Sequence, residues 1–318
     1  MPSLKPRGSI IITTRNRAAH LCETLASFRG VVVPPDLPTE LLVVDNCSTD
    51  DTAEVIKSTH LPQMPVRYLY EPKPGQSNAR NGGMANTTGD VIVFTDDDVR
   101  VPAKWLKGMC LPLVADNADL VAGGVVMAPH LERPWMTQRH RNLHGDTSIY
   151  TNAHPVAMIG ANMAFNRKVL EKVPAFDPDL GPGALGFWDD ALFSRQLTNA
   201  GFRLAGAFDV QVEHHFDPRR LCRRSFRDRL AREGRSQAYV SYHWKHESFA
   251  CPWGKTLKMW LKLRRYQLLH APKWPHGDSG MADEEMAVVQ RFHFCREFLR
   301  QRQRPRNYER LGCVKLKY

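Results

Sequence analysis

The 318-residue sequence lacks several features that would place it in a specialised class of protein. It has no run of about 18 apolar residues, and this excludes a membrane-spanning helix. Met1 to Gly8 has no apolar signal core, so secretion is not expected. None of its seven cysteines forms a C-x-x-C pair, which argues against a zinc knuckle and against a disulfide framework. These absences favour a globular protein of the reducing cytoplasm.

The composition is that of a chain able to bury a core. Hydrophobic residues make up 42% of the sequence, charged residues 24% and aromatic residues 9%, which excludes collagen, a coiled coil and wholesale disorder. The length suits one large domain or two ordinary ones.

The positive charge is concentrated in the last third of the chain. The formal net charge is +11, yet Pro2 to His214 contains 20 Lys and Arg against 23 Asp and Glu. His215 to Tyr318 contains 24 against 10 and therefore carries the whole excess. Such asymmetry predicts an anionic partner for the C-terminal part, unless this is only a solvated basic face.

Short apolar runs alternate with helical patterns in the first hundred residues. The runs predict four strands, at Ser9–Thr13, Glu40–Val44, Val66–Tyr70 and Asp90–Thr95. Helical spacing lies between them, at Ala18–Phe28, Thr52–Ser58 and Gly75–Asn86. This alternation predicts a parallel α/β sheet, in which ligands bind beyond the carboxyl ends of the strands.

Three carboxylates, Asp96, Asp97 and Asp98, directly follow the fourth predicted strand. Adjacent carboxylates repel one another unless a cation neutralises them, and Mg²⁺ and Mn²⁺ prefer such oxygen ligands. In an extended chain Asp96 and Asp98 would point to the same side. A metal site is therefore predicted here, with a solvated acidic turn as the competing interpretation.

The chain after His215 is predicted to be mainly helical. Gly254–His270 places Leu257, Trp260, Leu261 and Leu268 on one side, with Lys and Arg elsewhere. Four tryptophans, Trp244, Trp253, Trp260 and Trp274, lie among these basic residues. Such a region suits an anionic membrane surface, nucleic acid, or an acceptor pocket for a small molecule or peptide.

Five segments in order resemble the family 2 glycosyltransferases of the GT-A fold. These segments are SIIITTRNR (Ser9–Arg17), LLVVDNCSTDDT (Leu41–Thr52), the stretch Pro74–Asp98 with its Ala-Arg-Asn helix and D-x-D strand, the acceptor-side block Gly160–Leu204, and VQVEHH (Val210–His215). The resemblance covers roughly Ser9 to His214. It implies a Rossmann-like mixed sheet flanked by helices, with a mainly helical, basic C-terminal region outside the family pattern.

The resemblance also implies roles for particular residues. Asp190 matches the catalytic base. The sequence has Asp189 where the family more often has Glu, and this departure keeps Asp189 as the second choice for the base. The metal ligands would be Asp98, Asp96 and His214. Nucleotide-sugar binding would involve Thr13, Thr14, Arg15, Asp45, Arg80, Asp96 and Asp97.

The implied reaction is metal-dependent transfer of a sugar, of the hexosyltransferase type, from a nucleoside-diphosphate sugar to an acceptor hydroxyl. A UDP-sugar is the first choice of donor and Mn²⁺ or Mg²⁺ is the expected cofactor. A positioned carboxylate takes the proton of the attacking hydroxyl, and the metal stabilises charge on the leaving β-phosphate. Single displacement with Asp190 as base would invert the anomeric centre, while a retaining reaction stays open.

Two alternatives remain beside this interpretation: a nucleotidyltransferase on a similar sheet, and a glycosyltransferase-like binding module.

The predicted domain spans residues 1–214, with a nucleotide half at about 1–105 and an acceptor half at about 106–214, followed by a basic helical region at 215–318. The sequence leaves the acceptor open among a glycan, a lipid-linked molecule, a peptide and a small molecule. Peripheral contact with the inner membrane face fits the basic helices better than nucleic acid does.

Overall fold

The computed structural model describes residues 5–249, 252–270 and 280–316. Trp274, one of the four tryptophans singled out above, lies outside the described residues.

One eight-stranded mixed sheet organises the described residues. Its strands are β1 (Gly8–Thr14), β2 (Thr39–Asp45), β3 (Val66–Tyr70), β4 (Val91–Asp96), β5 (Val99–Arg100), β6 (Leu120–Met127), β7 (Asn162–Asn166) and β8 (Leu204–His214). The spatial order is β3-β2-β1-β4-β7-β6-β8-β5. The first four strands are parallel, as expected, whereas β7 runs antiparallel to both neighbours, β4 and β6.

Helices cover the sheet and continue beyond it. They are α1 (Ala18–Phe28), α2 (Thr52–Ser58), α3 (Gln76–Ala85), α4 (Trp105–Val114), α5 (Gln138–Leu143), α6 (Asp189–Asn199), α7 (Arg223–His243), α8 (Pro252–His270) and α9 (Asp283–Gln301). The mixed α/β fold and the helical C-terminal region expected from the sequence are confirmed. Among the described residues, no helix is both long and apolar enough to cross a membrane.

The central strands are buried on both faces. Ile10 and Ile12 of β1 belong to one apolar layer, and Ile11 between them belongs to the other, because successive side chains of a strand point to opposite faces. This burial explains why the strands read as continuous apolar runs.

The strand register places polar residues side by side at the carboxyl edge of the sheet. Thr14 at the end of β1 is paired with Asp45 at the end of β2, and Thr13 is paired with Asp96 at the end of β4. The short strand β5 pairs with the end of β8, so that Val99 lies opposite His214. This pairing brings the end of β8 next to the acidic residues that follow β4.

The C-terminal helices share apolar cores with the part of the chain before residue 215. Met127 and Leu131 belong to one buried cluster with Phe226 and Met286. A second cluster joins Leu180 and Leu192 to Tyr239, Trp244 and Tyr308. Helices α7 and α9 therefore pack directly against the sheet-bearing part of the molecule.

Candidate active site

A cavity of about 1080 Å³ opens at the carboxyl ends of β1 and β4. Most of the residues predicted for the site line it, namely Thr13, Thr14, Arg15, Arg80, Asp96, Asp97, Asp98, Asp189, Asp190 and His214. Asp45 is the one predicted site residue absent from this lining. The sheet thus gathers residues that are up to 201 positions apart in the sequence.

The three consecutive carboxylates do not share one partner, because the chain turns at Asp97 and Asp98 instead of staying extended. The Arg80 guanidinium lies 3.7 Å from Asp96. Arg17 donates to Asp97 at 2.5 Å and to Asp98 at 2.8 Å. The expectation that Asp96 and Asp98 share one side of an extended strand is therefore wrong.

Asp97 is anchored to the end of β1 as well as to Arg17. The Thr14 hydroxyl donates to its carboxylate at 2.7 Å, and the Thr24 hydroxyl donates to its backbone carbonyl at 2.7 Å. Burial raises the pKa of Asp97 to about 7, although Arg17 opposes the shift. These contacts give Asp97 a role in holding the turn that presents its two neighbours.

Asp98 faces His214 across the edge of the cavity. The Nε2 atom of His214 lies 3.3 Å from one carboxylate oxygen of Asp98, and Nδ1 lies 2.8 Å from the His144 carbonyl oxygen. Burial alone would raise the pKa of Asp98, but His214, Arg17 and Arg220 hold it well below its usual range.

Asp98 and His214 offer donor atoms of the kinds that bind a divalent cation, a carboxylate oxygen and an imidazole nitrogen. When the Nδ1–H of His214 donates to a carbonyl, Nε2 presents a lone pair, which is the usual arrangement of a metal-binding histidine. Among the described residues, no group of three His, Cys, Asp or Glu side chains could hold a metal by itself. Mg²⁺-type cations need no such group, since one or two carboxylates and substrate phosphates commonly complete their shell.

Arg80 is buried and links two acidic groups that are far apart in the sequence. It donates to Asp189 at 2.6 Å, and its guanidinium lies over the Phe176 ring at 5.4 Å. A Cβ on Gly160 would lie 2.0 Å from this guanidinium, so only glycine leaves room for it. Burial raises the pKa of Asp189 to about 6 against the opposing charge of Arg80.

Asp190 differs from Asp189 in being half-buried at the cavity wall. One of its carboxylate oxygens accepts from the Gly160 N–H at 2.7 Å, and the other accepts from the Ala191 N–H at 2.7 Å. Both bonds fix the orientation of the carboxylate at the start of α6. The arrangement leaves Asp190 with acceptor lone pairs, while Asp189 is committed to Arg80.

A glycine-rich loop, residues 181–186, precedes these two carboxylates. Gly181 has φ +83°, and a Cβ there would lie 2.8 Å from the Asp189 carboxyl carbon. Trp188 also adopts a left-handed conformation, φ +73°, and Arg195 lies over its ring at 4.8 Å. Strained backbone at a cavity wall often marks a functional site.

At the carboxyl end of β1, Arg15 is exposed whereas Thr13 and Thr14 are buried. Asp45 lies behind them and is buried, accepting from the Tyr68 hydroxyl at 3.1 Å and from the Ser48 N–H at 2.9 Å. Its neighbour Asn46 does line the cavity.

Two arginines that pair with the acidic cluster, Arg17 and Arg220, were not among the predicted site residues. Arg17 lies in the segment after the first strand. The sequence does show that a positive charge follows one strand of the predicted sheet and three carboxylates follow another. Arg220 comes within 3.5 Å of Asp98 from 122 residues away, and no local pattern announces it.

Comparison with known sequences identifies the family. The sequence pattern of the family described as "Glycosyl transferase family 2" matches residues 9–174, which is more than half of the chain. The chain belongs to this glycosyltransferase family. It is accordingly a glycosyltransferase, and the nucleotidyltransferase and binding-module interpretations are set aside.

Relatives with assigned names resemble this glycosyltransferase over part of their length. Glycosyltransferase AglE of Haloferax volcanii is 28% identical over 214 residues, which cover 66% of this chain and 67% of AglE. The succinoglycan biosynthesis protein ExoM of Rhizobium meliloti is 32% identical over 111 residues, 34% of this chain and 36% of ExoM. Validoxylamine A glucosyltransferase of Streptomyces hygroscopicus subsp. limoneus is 26% identical over 64% of this chain and 44% of its own length. The matches to these last two relatives thus span less than half of them.

Solved structures share the fold. The mannosyltransferase PcManGT of Pyrobaculum calidifontis, in complex with GDP-Man and Mn²⁺, superposes with a TM-score of 0.55 at 20% identity, covering 94% of this chain and 71% of that one. S. aureus TarS 1–349, in complex with UDP, gives a TM-score of 0.52 at 15% identity, covering 93% and 91%. The GT-A fold expected from the sequence is thereby confirmed.

Proposed function

We propose that this glycosyltransferase moves a hexose from a nucleoside-diphosphate sugar to an acceptor hydroxyl with inversion, using Asp190 as general base. The observation that carries the proposal is the position of Asp190 in one cavity with the Asp98–His214 pair. A base near the acceptor and cations near the leaving group are the two elements that single displacement requires.

The contacts of the two adjacent carboxylates support Asp190 over Asp189 as the base. A base must reach the acceptor proton, and Asp190 is half-exposed in the cavity with its orientation fixed by the Gly160 N–H. Asp189 is buried, and its charge is used by Arg80. We infer that Arg80 and Asp189 position the start of α6, and hence Asp190, relative to Asp96.

Asp98 and His214 would hold the Mn²⁺ or Mg²⁺ ion, with Asp96 half-exposed beside them. The ion would supply positive charge at the leaving diphosphate. Arg17 and Arg220 add two guanidinium groups next to Asp98, where that charge develops. The solved relative with GDP-Man and Mn²⁺ supports the presence of such an ion.

The nucleotide would lie along the carboxyl edge of β1 and β2. Thr13, Thr14 and Arg15 are placed to contact it, and Asp45 would face the base from behind Asn46. TarS binds UDP, which supports our first choice of a UDP-sugar, whereas PcManGT binds GDP-Man and makes a GDP-sugar the competing donor. A thermal-shift screen of UDP-, GDP- and dTDP-sugars with Mn²⁺ identifies the donor, and stabilisation by GDP-sugars alone would reject the UDP assignment.

Replacement of the base tests the mechanism. Asp190→Asn keeps the size of the side chain but removes its ability to accept a proton, so we expect transfer to fall by at least about 10²-fold. Donor affinity should change little, because no donor contact is assigned to Asp190. Transfer assays and calorimetric titration with the donor measure the two quantities in parallel.

An exposed residue of the same type provides the control. Asp209→Asn, at an exposed position of β8, should transfer sugar at the wild-type rate. Near-normal transfer by Asp190→Asn would refute the assignment of the base.

We also propose that α8 contacts an anionic membrane surface. Trp253, Leu257, Trp260, Leu261 and Leu268 are 42–77% exposed, and helical geometry places them within an arc of about 100°. Exposed Lys258, Lys262 and Arg265 flank this arc, and α8 contains no acidic residue. A cationic helix with an exposed apolar stripe lies in the headgroup region of anionic lipids.

Flotation with liposomes tests this contact. The wild type should float with vesicles containing phosphatidylglycerol, and Trp253→Ser/Leu261→Ser should remain at the bottom of the gradient. Val156→Ser removes an equally exposed apolar side chain elsewhere and should float normally. Failure of the wild type to float would remove the basis for a peripheral membrane location.

A further inference from the structure

The cavity extends from the acidic cluster to a second wall formed by α5 and α7. On α7, two parallel rows face it: Arg224, Asp228 and Arg232 recur every four residues, and Ser225, Arg229 and Glu233 do so beside them. Residues four apart lie above one another on a helix, so each row is continuous along the wall. At 1.5 Å per residue, each row extends about 12 Å along α7.

This wall has more positive than negative charge. Arginines at five positions line it, namely Arg139, Arg220, Arg224, Arg229 and Arg232. The acidic side chains of the two α7 rows are Asp228 and Glu233. Within the part of the chain that the structure describes, four of the five arginines form no ion pair with a carboxylate: Arg139, Arg224, Arg229 and Arg232.

Arg229 lies among the five arginines of this wall. It donates to the Leu143 carbonyl, and its guanidinium lies over the Phe187 ring at 5.0 Å. Burial and the neighbouring charges of Arg220 and Arg232 hold its pKa well below the usual range. Crowded cations in a partly desolvated wall are stabilised by a bound anion.

His144 adds a second unsatisfied group to the same wall. Its side chain is 1% exposed, and neither ring nitrogen has a hydrogen-bond partner among the described residues. It stacks on Phe216 at 4.0 Å and lines the cavity. Buried polar atoms without partners carry a free-energy cost that a ligand can remove.

The cationic wall extends away from the site assigned to the donor. Only Arg220 of the five comes within ion-pair distance of Asp98 in the described residues. Arg139 donates to Gln290 at 2.8 Å, and these two residues also line a second cavity that reaches Met259 and Lys262 of α8. The positive wall therefore continues toward the C-terminal helices and not toward the strand ends that would bind the nucleotide.

We propose that the arginines of α7, with Arg139, bind a phosphate-type anionic group carried by the acceptor. The inference rests on the proposed glycosyl transfer and gives the acceptor a chemical class. Planar guanidinium groups suit phosphate because each can donate two parallel hydrogen bonds to it. A phosphorylated glycan or small molecule and a phospholipid-linked acceptor share this chemistry.

Titration with inorganic phosphate tests the wall when the donor site is already filled. The protein is first saturated with Mg²⁺ and the nucleoside diphosphate selected by the donor screen, and phosphate binding is then measured by calorimetry. The wild type should bind phosphate, and Arg224→Gln/Arg232→Gln should bind it at least about tenfold more weakly. Both replaced side chains are exposed, so folding should be unaffected.

The controls separate this inference from the proposed function. Arg300→Gln/Arg310→Gln removes the same charge from exposed positions outside the cavity and should bind phosphate normally. Failure of the wild type to bind any nucleoside diphosphate would reject the proposed function itself. Normal nucleotide binding without phosphate binding would overturn the inference, as would a double variant that loses nucleotide affinity but keeps phosphate affinity.

Vesicles distinguish the two sources of phosphate. If Arg224→Gln/Arg232→Gln fails to float with phosphatidylglycerol vesicles while the control variant floats, the anionic group belongs to a lipid. If both float equally and only phosphate binding is lost, the group belongs to a water-soluble acceptor.

Discussion

Asp189 and Asp190 are adjacent in the chain but lie in very different surroundings. Asp189 is buried against Arg80, whereas Asp190 accepts two backbone N–H groups at the cavity wall. The sequence could not separate them, because it shows neither the depth of Arg80 nor the approach of Gly160. The local environment therefore carries the argument for the base.

At the scale of single residues, replacement of His214 tests the metal site. Since its Nδ1 is engaged by the His144 carbonyl and its Nε2 faces Asp98, His214→Gln should weaken Mn²⁺ binding by more than about tenfold. Calorimetry with Mn²⁺ in the presence of saturating UDP measures the change.

The neighbouring histidine is a matched control. His215 directs its ring toward Glu213 and does not line the cavity, so His215→Gln should bind Mn²⁺ as the wild type does. Equal Mn²⁺ affinities for the two variants would show that His214 is not a ligand.

At the scale of secondary structure, the packing of α7 on α9 sets the position of the cationic wall. Gly234 is the point of closest approach, because a Cβ there would lie 2.2 Å from the Gln290 carbonyl oxygen and 3.0 Å from the Phe294 nitrogen. Gln290 also lines the cavity. The helix separation and the cavity wall thus depend on the same contact.

Gly234→Ala should lower the free energy of unfolding by about 1–3 kcal/mol, since the methyl group forces the two backbones apart. Thermal and denaturant unfolding measure the loss. At Gly30 the nearest atom to a Cβ is 3.8 Å away, so Gly30→Ala should be close to neutral. Equal stability of the two variants would contradict the proposed close approach.

At the scale of the whole molecule, the half-buried His293 couples stability to pH. Burial and the charges of Arg235, Arg296 and Arg227 lower the pKa of His293 to about 4. In the unfolded chain the histidine has its usual pKa near 6.5 and binds a proton first as the pH falls. The stabilisation is complete above about pH 6.5 and declines toward about pH 4.

We therefore expect the melting temperature to fall as the pH drops from about 6.5 to about 4. The free energy of unfolding falls over the same pH range. His293→Gln should reduce that fall by about 1 kcal/mol, after allowance for the partial exposure of the ring. His60→Gln, at an exposed position, should leave the pH profile unchanged. Unfolding curves across this range would disprove the coupling if the His293 variant followed the wild type.

The division of the chain near residue 214 remains a prediction. Lys315 pairs with Asp177 and Asp179 at 2.6 Å, and the Tyr308 hydroxyl donates to Asp177 at 2.8 Å. Together with the two shared apolar clusters, these contacts lead us to propose that the described residues after 214 fold against the preceding part and complete its cavity. Expression of residues 1–214 alone should yield an unstable protein, and a cooperative thermal transition at the full-length temperature would refute this.

The sequence by itself determined the strands of the first hundred residues, the carboxylates at their ends and the family. Period-two and period-3.6 patterns are local, and the family motifs are contiguous, so both can be read along the chain. The asymmetry of charge was equally visible, because it requires only counting.

Only the tertiary structure decided which of these groups meet. The pairing of β5 with β8 brings His214 to Asp98, and the turn at Asp97 and Asp98 breaks the alternation that an extended strand would impose. The basic helices contribute arginines to the cavity because α7 packs beside the sheet instead of standing apart. Such contacts join residues more than 100 positions apart, and their geometry depends on packing that no local pattern encodes.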